Sequence, residues 1–195
     1  MPDIERRYMP AAELRAVAPA DDKPAVIEGY AAVFGALSAD MGFREEIAPG
    51  AFTQSLADGD DVRALVDHDG GRILGRRKAG TLDLEEDAKG LHVTIRPPDT
   101  TAARDIMASI DRGDVDGMSF GFQTRSDSWR MEEDGVAIRT LRDAKLMDVS
   151  VVTFPAYPDT TVAVRSLDGW KAENETKPPV LTLLNEARLR LAETD

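Results

Sequence analysis

Ser119 lies in the stretch Gly-Met-Ser-Phe-Gly, residues 117–121, which fits the G-x-S-x-G pattern of a nucleophile elbow. A serine hydroxyl attacks a carbonyl only when a base takes its proton and a third group holds that base in the right tautomer. The chain has two histidines, His68 and His92, and both precede Ser119. The α/β-hydrolase elbow needs the order serine, acid, histidine, so this stretch is not that elbow. The order histidine, serine, acid, with the acid after Ser119, is not that of chymotrypsin or subtilisin either.

Other chemistries are excluded by composition. There is no cysteine, which removes disulfides, thiolate nucleophiles and thiolate metal sites together. Two separated histidines without an HExxH motif give no zinc signature, and Asp67-His68-Asp69-Gly70-Gly71 lacks the ligand spacing of a calcium loop. No cofactor or metal is expected. A net charge of −12 argues against a nucleic-acid partner, which needs a basic surface. No apolar run reaches the roughly 18 residues of a membrane span, and the N-terminus lacks the apolar stretch of a signal peptide.

The elements that must position these residues follow from periodicity. Ala25–Gly35 is rich in Val, Ile, Tyr and Phe and predicts a strand. Phe52 and Leu56, four apart, predict a short helix that stops at Gly59. Residues 61–69 alternate, which places Val62, Ala64, Val66 and His68 on one face. Residues 71–97 read as a β-meander, and residues 99–115 as a helix capped by Thr100 or Thr101 and ended by Gly113. Residues 116–124 alternate again, with Met118, Phe120 and Phe122 on one side and Ser119 on the other. A hairpin turning at Glu132–Gly135 follows, then a strand over 148–154 ended by Pro155 and Pro158. Ser119 therefore sits on a strand, not on a strand-to-helix turn. Of the two bases, His68 at a strand end is favoured. His92 lies mid-strand on the face opposite Leu91 and Val93.

Seven segments occur in a set succession: IEGYAAVFG, FREEIAPGAF, LVDHD, ILGR, AGTLDLEEDAKGLHVTI, GMSFGF and LMDVSVVTFPAYPDT. In this order they resemble the prohead maturation proteases of HK97-like tailed phages, over roughly residues 25–165. The resemblance implies a mainly β fold with α (α+β), an antiparallel β-barrel core flanked by helices, like that of the herpesvirus assemblins. It implies a serine endopeptidase with His68 as base, Ser119 as nucleophile and Asp148 as the acid that orients His68. Many members carry Glu at that acid position, and Asp69 and Asp143 are competing carboxylates. Asp148 could instead pair with Lys145. Backbone N–H groups or an arginine such as Arg142 are candidates for the oxyanion site.

By the same resemblance the substrates are a scaffold protein, or the scaffold-like segment of the major capsid protein, and the protease itself through autocleavage. The place of action is the assembling prohead in the host bacterial cytoplasm. A homo-oligomer is compatible with this. The rival reading is a catalytically inactive scaffold or capsid-assembly factor on the same fold. The chain divides into an N-terminal segment (1–24), a protease domain (25–166), and a linker with a C-terminal amphipathic helix (167–195) carrying Leu181, Leu184, Ala187 and Leu191 on one stripe.

Overall fold

The computed structural model describes residues 4–10, 13–19, 24–154 and 161–175. The chain opens with β1 (Glu5–Met9), β2 (Arg15–Val17), β3 (Val26–Val33) and β4 (Arg44–Ile47). The short helix α1 (Thr53–Ala57) leads to β5 (Arg63–Val66) and β6 (Asp69–Arg76), and a 3₁₀ turn at Arg77–Ala79 leads to β7 (Leu82–Glu86) and β8 (Gly90–Ile95). Helix α2 (Thr101–Asp111) precedes the two long strands β9 (Gly117–Met131) and β10 (Ala137–Val152), and α3 (Thr161–Glu175) comes last.

The fold is mainly β with helices, in two sheets. One runs β1-β9-β10-β5-β6, with β4 also on β10; the other runs β2-β3-β8-β7. The closed antiparallel barrel expected from the sequence is not formed among the described residues. The reason lies in β10. Its 16 residues give one edge long enough to take two strands in succession, β4 along Ile138–Leu141 and β5 along Asp148–Val151, both parallel to it. The connection through α1, which packs on β10, returns the chain in the same direction. The strand expected over 148–154 is thus the second half of β10, continuous with the hairpin arm through local register shifts. The expected meander also divides: β6 joins β5 in the first sheet, while β7 and β8 join β3 in the second.

Strands β1 and β2 fall within the stretch 1–24 that the sequence reading sets apart; β1 is an edge strand of the first sheet. Helix α2 is bounded as expected. The Thr100 hydroxyl accepts from the Ala103 N–H at 3.3 Å, Ala103, Ile106 and Ile110 are buried, and Gly113 leaves the helix at φ +79°. A second compact unit begins at Thr161. Within it, residues 167–175, read from sequence as linker, are helical. The stripe at 181–191 lies outside the described residues. No helix among the described residues is long and apolar enough to cross a membrane.

The core lies on the side of β9 that carries Met118, Phe120 and Phe122. Val149 and Val151 of β10, Ala64 and Val66 of β5, and Ile27, Leu91, Val93 and Ile95 of the second sheet join them. Phe52 meets Phe120 edge-on at 5.4 Å, and Phe120 stacks on Phe122 at 5.0 Å. Each such ring removed from water contributes about 1.5–3 kcal/mol, so the orientation of β9 is strongly fixed. Sinking the three apolar side chains on one face forces Ser119 onto the other.

Candidate active site

On β9 the period of two places Gly117, Ser119 and Gly121 on one face. Ser119 lies across from Ser150 of β10 and from Tyr8 of β1. The glycines have steric reasons. A Cβ at Gly117 would run into the Tyr8 ring, and one at Gly121 would run into the Asp148 carboxylate. The G-x-S-x-G pattern here is a strand period in which two neighbouring strands lean side chains over the glycines.

His68 reaches this face through a turn. Asp67 and His68 form the two-residue connection of the β5–β6 hairpin, closed by the pair Val66–Asp69. Both have positive φ, +52° and +57°, as in a type I′ turn. The left-handed backbone swings His68 off the face of Val62, Ala64 and Val66 to which alternation assigned it, a correction of that expectation. Asp67 anchors the turn. Its carboxylate accepts from the Thr153 N–H at 2.9 Å and the Thr153 hydroxyl at 3.3 Å, and its own N–H donates to the Val151 carbonyl at 2.9 Å.

The imidazole so placed bridges two partners. Nε2 lies 2.7 Å from Ser119 Oγ, and Nδ1 lies 2.5 Å from Asp148 Oδ1. For Nε2 to accept the serine proton, Nδ1 carries its hydrogen and donates it to Asp148. Ser150, two residues from Asp148 on the same face, gives its hydroxyl to Asp148 Oδ1 at 3.0 Å and accepts from the His68 backbone N–H at 3.3 Å. The assembly is nearly dry: Ser119 and Ser150 are wholly buried and Asp148 is 8% exposed. In such surroundings a charge pair acts with far more strength than in water.

The other candidates lie elsewhere. Asp69 caps its own turn by accepting from the Gly71 N–H at 2.8 Å. Asp143 faces Arg125 at 3.9 Å, and Lys145 faces Asp60 at 3.8 Å, not Asp148. Arg142 donates to the Ser128 hydroxyl at 2.9 Å, six strand residues or about 20 Å from Asp148, so it does not serve an oxyanion at Ser119. His92 is in the second sheet, edge-on to Tyr30. The sequence reading passed over Ser150, Asp67 and Gly121. Ser150 carried a signal, since a residue two after Asp148 on a strand shares its face.

An alcohol, an imidazole and a carboxylate joined in one hydrogen-bonded line, on the strand face opposite the apolar core, is the arrangement by which serine hydrolases make a hydroxyl nucleophilic. The chain belongs to the caudovirus prohead serine protease family, whose sequence model matches residues 11–174. It is 33% identical over 153 residues to the prohead protease of Enterobacteria phage HK97, an alignment covering 76% of this chain and 64% of that protein. The chain thus spans a little under two thirds of that relative's length. Among solved structures, the capsid assembly protease of bacteriophage T4 is similar in fold, with a TM-score of 0.53 at 13% identity over 79% of this chain and 99% of that one.

Proposed function

We propose that this chain is a serine endopeptidase that matures viral proheads by cleaving scaffold protein, or the scaffold-like segment of the major capsid protein, and itself. The observation that carries the reading is the 2.7 Å approach of His68 Nε2 to Ser119 Oγ, with Asp148 on the opposite ring nitrogen. Ser119 Oγ attacks the carbonyl carbon of the scissile peptide as its proton passes to Nε2. The imidazolium so formed is offset by the Asp148 carboxylate. The tetrahedral adduct collapses as His68 returns the proton to the leaving amine nitrogen, leaving an ester at Ser119. Water, deprotonated by His68, then hydrolyses that ester and restores the hydroxyl.

Family membership supports the prohead as the place of action, in the infected host cell, with capsid or scaffold protein as partner. The test is co-expression with the capsid protein of the same virus, followed by mass spectrometry. Wild type is expected to yield shortened capsid or scaffold chains that vanish in Ser119→Ala. Full-length chains in both samples would overturn the reading.

A further inference from the structure

We infer that Ser150 is a positioning residue of the catalytic machinery, a fourth member that holds His68 and Asp148 in register. The inference deepens, and rests on, the reading of Ser119, His68 and Asp148 just given. Its basis is that one hydroxyl touches both partners. Ser150 Oγ donates to Asp148 Oδ1 at 3.0 Å, the same oxygen that meets His68 Nδ1. It accepts from the His68 backbone N–H at 3.3 Å and lies 3.2 Å from His68 Nδ1.

Each contact has a separate consequence. A hydroxyl proton on Asp148 Oδ1 fixes which oxygen faces the imidazole. The bond from the His68 N–H ties the backbone of a residue held at φ +57°, a conformation that persists only where surrounding contacts hold it. The short distance to Nδ1 makes Oγ a second acceptor for the Nδ1–H, which favours the tautomer that leaves Nε2 open to the Ser119 proton. Ser150 is wholly buried, so water does not replace these bonds without rearrangement. Its place is set by register: Ser150 is the ladder partner of Ser119 and sits two residues beyond Asp148. The same strand therefore delivers the acid and its support. Ser150 itself makes no bond to substrate and exchanges no proton with it.

The test uses the full chain and diisopropyl fluorophosphate, a small probe that phosphorylates an activated serine hydroxyl with loss of fluoride. Saturation kinetics separate the probe's binding constant from its maximal labelling rate, and the proton spectrum reads the downfield His68 Nδ1–H resonance. Ser150→Ala is expected to slow maximal labelling at least tenfold, to leave the binding constant within twofold, and to shift or broaden that resonance. Ser150→Thr, which keeps the hydroxyl, is expected to retain labelling within about threefold. Melting curves by circular dichroism identify any variant that has lost its fold. A folded Ser150→Ala with wild-type labelling and an unmoved resonance overturns the inference. A wild type that takes no label overturns the proposed function instead, and the resonance in Ser150→Ala then decides the inference by itself.

Discussion

Gly121 stands across the β9–β10 ladder from Asp148, and the Asp148 carboxylate fills the space that a Cβ at Gly121 would occupy. The carboxylate can reach His68 because the neighbouring strand offers no side chain there. Gly117 makes the same allowance for the ring of Tyr8, which has no hydrogen bond to His68 or Ser119 among the described contacts.

A methyl group at either glycine therefore separates the two roles. Gly121→Ala is expected to displace the acid and slow phosphorylation of Ser119 by the probe at least tenfold, while the melting temperature falls by only a few degrees. Gly117→Ala is expected to shift the Tyr8 ring and leave the labelling rate within about threefold. Rates measured with diisopropyl fluorophosphate check both, and equal effects at the two glycines would refute this division.

The acid itself is expected to tolerate little change. Asp148→Asn keeps the shape but presents an amide that no longer secures the Nδ1–H tautomer, and the expected loss in rate is about 10³–10⁴-fold. Asp148→Glu adds a methylene into a space already filled beside Gly121, an overpacking that costs about 1–3 kcal/mol. Its expected rate lies between wild type and Asn, at least tenfold below wild type. A Glu variant with wild-type labelling would mean that the cleft has slack for the longer acid.

The hairpin that carries His68 yields a backbone prediction. Asp67 sits at φ +52°, where Asn and Asp are tolerated and β-branched residues are not. Asp67→Asn retains an acceptor for the Thr153 N–H and is expected to label Ser119 within about threefold of wild type. Asp67→Val loses that anchor and strains the turn by about 1–3 kcal/mol, with labelling slowed at least tenfold. Comparable rates in the two variants would remove the turn from the account of how His68 is held.

These cases also mark what the sequence could disclose. Strand β9 was legible because Met118, Phe120 and Phe122 alternate with Ser119, and α2 because its cap, apolar stripe and terminal glycine are local signals. The placement of His68 was not, because alternation was extended across a two-residue turn whose left-handed backbone reverses it. The pairing of β10 with both β4 and β5 depends on contacts some 80 to 95 residues apart, and no local pattern states a parallel register. Asp148 illustrates the same limit. Lys145 is its near neighbour in sequence, yet the fold turns Lys145 toward Asp60 and brings His68, 80 residues away, to the carboxylate.

A last prediction concerns stability away from the site. Edge strand β1 is fastened by a buried ionic cluster. Glu5 meets Arg139 and Arg7, each at 2.7 Å, Arg7 meets Glu45 at 2.6 Å, and the Thr124 hydroxyl donates to Glu5 at 2.6 Å. Burial pushes the Glu5 carboxyl up, but the hydrogen bond and charge of Arg139, aided by Arg7 and Thr124, outweigh it and hold its pKa below the ordinary 4.5. A carboxyl depressed on folding stabilises the native state above its unfolded pKa, and that contribution drains away as pH falls through the folded value. Glu5→Gln leaves two buried guanidinium groups short of one carboxylate. The expected cost at pH 7 is about 3–5 kcal/mol, or roughly 10 °C in melting temperature. The gap between wild type and variant should narrow as pH falls below about 4.5, where the unfolded wild-type chain takes up a proton, and close through the lower folded pKa, where the native carboxyl takes up the proton that the amide replaces. Thermal melts at pH 7 and at pH 3.5 read both effects, and a gap that stays constant between them would show that Glu5 holds β1 by shape and not by charge.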